Sequence, residues 1–163
     1  LELAYADLSA RLNRTGETEG SFAMEYRRFG DTLFARLDRG EEILTQLEAI
    51  ARAEHILLAE VSGLGAVSEF TAGVFDTEAK CFCPNTFRGA YEIVSLTGTV
   101  STMGGAYYSH LHMSAGDAEG RVFGGHLAAA VISATGELVI RIIEGRVDRA
   151  FNEEIGLNLF KFE

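Results

Sequence analysis

Two short runs near the start of the chain, FAMEYRRF (22–29) and TLFARLD (32–38), alternate apolar and polar positions, and Gly30-Asp31 lies between them. A period of two with a turn dipeptide in the gap predicts a β-hairpin. The pattern then changes. In RGEEILTQLEAIARAEH, Ile43, Leu44, Leu47, Ile50 and Ala51 recur at helical spacing, and Glu41 and Glu42 fall in the predicted first turn, where the helix dipole favours acids. From Ile56 the chain returns to β-branched and aromatic runs. ILLAEVSGLGAVSEFTAGVFD reads as two strands around a Gly63–Gly65 turn. AYEIVSLTGTVS, AYYSHLHMS, RVFGGHLAAAVISAT, GELVIRII and GLNLFKF follow as successive strands separated by glycines or charged turns. A helix after two strands, then many more strands, predicts a single α+β domain, a mixed and mostly antiparallel sheet with one main helix packed on it. Ahead of this, Leu1, Tyr5, Leu8 and Leu12 share one stripe. Residues 1–20 therefore read as a helical N-terminal extension, and residues 21–163 as the domain.

Composition narrows the class. At 163 residues, with 47% hydrophobic and 23% charged positions, the chain has the size and balance of one globular unit. No apolar run approaches the roughly 20 residues that a membrane-spanning helix needs. The opening residues lack a basic region followed by an apolar block, so no signal peptide is readable and a cytoplasmic setting is expected. A net charge of -10 repels phosphate backbones, which makes nucleic acid an unexpected partner. The only cysteines, Cys81 and Cys83, stand as C-x-C, which is neither a disulfide framework nor a redox C-x-x-C. They read as two reduced thiols or, failing that, as an accessory metal contact.

Chemistry concentrates in YYSHLHMSAGDAEGRVFGGHLAAAV, which holds three of the four histidines. In an extended strand His110 and His112 present both rings to one side and form a two-ligand clamp that suits zinc, iron, nickel or copper. His126 can lie opposite on a neighbouring strand, reached through the turn AGDAEG, with Gly124 and Gly125 leaving room beside it. Three histidines around zinc leave a fourth position to water or ligand, as in catalytic sites. His55 has no such neighbours and reads as a structural or exposed residue. Two familiar alternatives are missing. HMSAG around Ser114 lacks the first glycine of a nucleophile elbow, and GLGAVS has Ser68 where a dinucleotide loop needs its third glycine.

Taken together, YEIVSLTGTVS, HLHMSAGDAEGRVFGGHL and GELVIRI, preceded by RGEEILTQLEAIAR and LAEVSGLGAVSEFTAGVFD, resemble the plant and prokaryote conserved (PPC) domain from about Ser21 to Glu163. The resemblance implies a homotrimer and, as in prokaryotic members, a metal site that carries over to His110, His112 and His126, with a divalent metal, zinc first. The fold is also similar to that of acetolactate decarboxylase, a zinc enzyme. Plant members bind A/T-rich DNA through a Gly-Arg-Pro hook, and this chain has no such core: its sole proline, Pro84, follows Cys83.

Three functions follow, in order. The first is a metal-binding homotrimer that takes a small anionic ligand or a protein partner. The second is a metal-dependent lyase or hydrolase, whose acid or base would be Glu137, Glu92 or Asp117 and whose anion holder would be Arg141, on the same strand face as Glu137. Each of these four residues also has an ordinary reading, as a cross-strand pair or a turn residue. DNA binding comes last.

Overall fold

The computed structural model describes residues 24–162, so the helix expected within residues 1–20 lies outside the described residues. β1 (Glu25–Phe29) and β2 (Thr32–Asp38) form the expected hairpin, with Phe29 opposite Thr32 and Gly30 at a φ of 63° in the turn. That left-handed conformation suits glycine, which has no Cβ to clash. α1 (Ile43–Ala53) follows and buries Ile43, Leu47, Ile50 and Ala51 against the sheet.

Glu41 and Glu42 sit one step earlier than their sequence pattern suggests. Glu42 is the N-cap, its carboxylate accepting from the backbone N–H groups of Leu44 at 3.1 Å and Thr45 at 2.7 Å. The same carboxylate accepts from the N–H of Ala130, 3.1 Å away, and so ties the helix start to the sheet. Glu41 lies before the helix and accepts from the N–H groups of Met24 and Asp38. Both acids satisfy donors that a helix start or a strand end would otherwise leave open.

The helix ends in a Schellman arrangement. The N–H of Ile56 donates to the Ala51 carbonyl at 2.8 Å and that of His55 to the Arg52 carbonyl at 3.3 Å. His55 itself takes the left-handed conformation, φ 54°, that glycine normally fills. It is exposed, as its isolation in the sequence suggested.

Four long strands make the body: β3 (Ala59–Asp76), β4 (Cys81–Met103), β5 (Ala106–Gly116) and β6 (Val122–Ile142). Two expectations need correction here. The stretch read as two strands about Gly63–Gly65 is the single strand β3, and RVFGGHLAAAVISAT with GELVIRII is the single strand β6. The glycines bend these strands instead of reversing them. Pairing of β3 slips at Gly63/Gly65, and Gly65 faces Gly136 of β6, where a Cβ on Gly65 would meet Gly136 Cα at 2.8 Å. Glycine opposite glycine lets the two backbones approach.

The pairings close on themselves. β3 pairs with β4 on one edge and β6 on the other, β4 pairs with β5, and β5 pairs with β6. β1 and β2 extend the sheet from the far half of β6. A C-terminal hairpin, β7 (Asp148–Asn152) and β8 (Leu157–Lys161), joins β4 through a short parallel pairing at Thr102 and Met103. The sequence pattern did not reveal β7. The described residues form eight strands and one helix of 11 residues, so the single domain is mostly β-sheet, with a smaller helical part than an α+β label conveys.

Phe70, Leu37, Leu47, Leu111, Leu138 and Ile140 are fully buried in one continuous core. This apolar burial is the main favourable term holding the long strands together. No described helix is long and apolar enough to cross a membrane.

Candidate metal centre

Register places the three histidines before any side-chain geometry is considered. His112 on β5 stands directly opposite His126 on β6, and His110 is two residues back along β5, on the same face. Opposite partners in an antiparallel pair share a face, so all three rings emerge on the side away from Leu111, Met113 and Leu127, which are buried in the core. Ring centroids are 5.2 Å apart for His110 and His112, 5.1 Å for His110 and His126, and 5.7 Å for His112 and His126. One ligand atom from each ring lies within 4.8 Å of the others. A cation about 2.0–2.1 Å from each nitrogen requires only a modest contraction of that triangle. Neither cysteine belongs to this group. Phe82, which lies between Cys81 and Cys83 in sequence, packs edge-on against His126 at 5.5 Å, so alternation turns both thiols to the other face.

Gly124 and Gly125 leave room beside His126, as their sequence suggests, and neighbouring backbone takes it. A Cβ on Gly124 would meet Ser114 Cα at 2.7 Å, and one on Gly98 would meet Leu111 Cα at 2.6 Å. Gly125, at φ 154°, has the Gly73 carbonyl group against it. Close approach of β3, β4, β5 and β6 draws the His110–His112 strand against the His126 strand, and only glycine permits it.

Electrostatics keep the rings available as ligands. Burial lowers the pKa of His110 to about 4, helped by the nearby His126, Arg149 and His112 side chains. Burial also lowers that of His126, with His112 contributing. Near neutral pH both imidazoles are therefore uncharged and hold a free lone pair, the form that binds a cation. Beside His112 a shallow cleft of about 340 Å³ is lined by Ser95, Thr97, Ser114, Phe123 and Gly124 among others.

The four acid, base or anion-holding candidates do not gather here. Glu92 is exposed on β4 opposite Gly116, four register pairs beyond His112, or about 13 Å along the strand. Asp117, in the β5–β6 turn, accepts from the N–H groups of Glu119 and Arg121 and pairs with the Arg121 guanidinium at 2.7 Å. Burial would raise its pKa, but these hydrogen bonds bring it below the ordinary carboxylate value. Glu137 lies on the far half of β6, opposite Arg36 and Leu64, and lines a separate groove of about 840 Å³. Arg141 is further along β6 and forms an exposed ion pair with Glu60. Asp117 thus stands in a turn, and Glu92, Glu137 and Arg141 at exposed strand positions. A side chain the sequence reading missed, Arg149 of β7, lies nearer the rings and acts on His110. Its sequence signal was thin, a single arginine in a short strand that the pattern did not show.

The profile of the Plants and Prokaryotes Conserved (PCC) domain matches residues 24–144. The chain belongs to this family. The match covers the first six strands and the helix, and with them all three histidines. Among solved structures, this PPC domain is similar to a candidate DNA-binding protein from Bacteroides thetaiotaomicron, at 31% identity and a TM-score of 0.83, over 86% of this chain and 99% of that one. It is equally close in sequence, 31%, to a metal-containing protein from Archaeoglobus fulgidus, with a TM-score of 0.75 over 87% of this chain and 100% of the other. Acetolactate decarboxylase from Bacillus subtilis, at 16% identity and a TM-score of 0.53 over 71% of this chain and 54% of that chain, shares the fold alone. No curated protein matches the chain.

Proposed function

We propose that this PPC domain binds one divalent cation, zinc first, between His110, His112 and His126, and that it works as a cytoplasmic homotrimer whose metal site takes a small ligand or a protein partner. The observation that carries this reading is the convergence of three imidazoles from two strands, with ligand atoms within 4.8 Å. An all-imidazole set suits zinc and leaves its fourth position open. The lowered pKa values of His110 and His126 favour it too, because protons would not compete for those nitrogens at neutral pH. The metal-containing relative from Archaeoglobus fulgidus points the same way.

A cation at this position would supply Lewis acidity to a bound carbonyl or water. The protein's own part is to hold three rings on a rigid sheet and to offer the hydroxyls of Ser95, Thr97 and Ser114 beside them. A lyase or hydrolase also needs a proton carrier within hydrogen-bond reach of its substrate. Glu92, Asp117 and Glu137 do not line the cleft at His112, so ligand binding ranks above turnover. The candidate DNA-binding relative gives the nucleic-acid reading its one support. A net charge of -10 opposes it.

Metal analysis of the purified protein tests the site. One equivalent of zinc per chain is expected, and none after His110→Ala or His126→Ala with the fold intact by circular dichroism. Equal metal content in the wild type and both variants would refute the site. Light scattering tests the trimer, and a mobility shift at physiological salt tests DNA.

A further inference from the structure

Arg149 is 8% exposed, yet among the described residues no carboxylate pairs with it. Its Nε donates to Ser101 Oγ at 3.0 Å and one terminal nitrogen, Nη1, to the Asn158 carbonyl at 2.8 Å. The guanidinium carbon sits 4.7 Å from the Tyr108 ring centroid and 4.1 Å from that of Phe160. Two aromatic faces and two neutral acceptors thus hold a cation in place without neutralising it. Nη2 has no hydrogen-bond partner among the described residues. It is not among the buried unsatisfied atoms, so it stays open to an anion from solvent.

Its position relates that anion to the histidines. Ser101 stands opposite Tyr108, and Thr99 stands opposite His110, so the Arg149 anchor points are one same-face step, about 7 Å, from His110. With a divalent cation on three neutral imidazoles, this face would carry that charge and the guanidinium charge together. The ligand group itself contains no carboxylate to offset either.

We infer that Arg149 is an anion-selecting residue of the histidine site, which directs a small carboxylate ligand to the open metal position and discriminates against its neutral counterpart. This rests on the metal reading above. If instead Arg149 only pins the β7–β8 hairpin to the sheet, its replacement would change stability and leave ligand choice alone.

Cobalt(II) replaces zinc in the test, because its visible spectrum reports directly on the fourth ligand. Wild-type protein loaded with one cobalt per chain is titrated with succinate and with succinamide. Succinate is expected to bind at least about tenfold more tightly, the discrimination that one charge-assisted contact supplies. Arg149→Gln should retain the cobalt and bind succinate about tenfold more weakly with succinamide little changed, the cobalt itself keeping the rest of the preference. Arg149→Lys, which retains a cation in the aromatic sandwich, should keep part of that affinity and remains informative if Arg149→Gln fails to fold. Equal binding of the two probes by the wild type, or an unchanged preference in Arg149→Gln, overturns the inference while the metal reading stands. Failure of the wild type to take up cobalt or zinc removes both.

Discussion

Gly98→Ala is a substitution of one methyl group that should damage both stability and the metal site. Gly98 lies on β4 opposite Leu111, between the pairs Thr97/His112 and Thr99/His110. An added Cβ would stand 2.6 Å from Leu111 Cα and nearer still to the His110 carbonyl oxygen, where ordinary contact begins at 3.4 Å. Both obstacles are backbone, so no rotamer change relieves them. β4 and β5 must part by close to 1 Å, which breaks ladder hydrogen bonds at the Gly98–Leu111 pair. Overpacking of this kind costs about 1–3 kcal/mol. The lost ladder bonds add about 0.5–1.5 kcal/mol each. His110 moves with its strand, and metal sites tolerate ligand displacements of only about 0.2 Å. Urea unfolding of the metal-free protein should therefore show a loss of about 2–4 kcal/mol, and titration calorimetry a loss of zinc affinity of at least about tenfold. Thr86→Ala, at an exposed position elsewhere on β4, is the control and should change neither by much. Wild-type stability and affinity in Gly98→Ala would refute the claim that backbone crowding sets the position of His110.

Three further outcomes are expected. His55→Gly should raise stability by up to about 1 kcal/mol, because φ 54° costs a residue with a Cβ and not glycine; thermal melting checks it. The metal-free protein should lose stability as pH falls. His110 titrates at about 4 when folded against 6.5 as a free group, so between those values the unfolded chain binds the extra proton. The stability it contributes is therefore complete above pH 6.5, is lost on descent to pH 4 and changes no further below; urea midpoints across that range read it out. Finally, Glu137→Gln and Arg141→Gln should leave zinc stoichiometry and affinity unchanged. Arg141→Gln should cost less than about 1 kcal/mol, since its pair with Glu60 is exposed.

How much of this could be read in the sequence depends on the range over which each feature is encoded. The β1–β2 hairpin, α1 and the shared face of His110 and His112 follow from spacings of two to four residues, and these were legible. The pairing of His112 with His126 across β5 and β6 was legible as a possibility, because a turn of AGDAEG lies between them. Continuity of β3 and β6 was not. A glycine in a strand marks a bend or a reversal alike, and the choice depends on which backbone lies opposite: Gly136 against Gly65, Gly73 against His126. Close approach at Gly124 was legible, but not that Ser114 of β5 is what approaches. Glu137, Glu92 and Arg141 were proposed from residue type and strand face, which leave position along a long strand open. Arg149 escaped notice because its importance lies in what surrounds it, Tyr108 and Ser101 from strands some 40–50 residues earlier.

The site occupies the point where the strand ring closes, and this couples metal to fold. β3, β4, β5 and β6 form a cycle of pairings, but β5 and β6 meet only from His112/His126 to Gly116/Val122, five pairs against the much longer ladders of β3 with β4 and β6. Short ladders are where local opening starts, since few bonds and little buried surface hold them. His110 and His112 lie on one side of that seam and His126 on the other. A cation shared by the three rings would therefore cross-link the weakest join in the ring. Stabilisation follows mass action and grows as the logarithm of free metal over its dissociation constant, reaching about 2.7 kcal/mol at a hundredfold excess. Protection from hydrogen exchange should then rise first at Met113, Ala115, Phe123 and Gly125, and least in the β1–β2 hairpin at the far end of β6. Uniform protection of both regions on adding zinc would show that the seam is not the weak join.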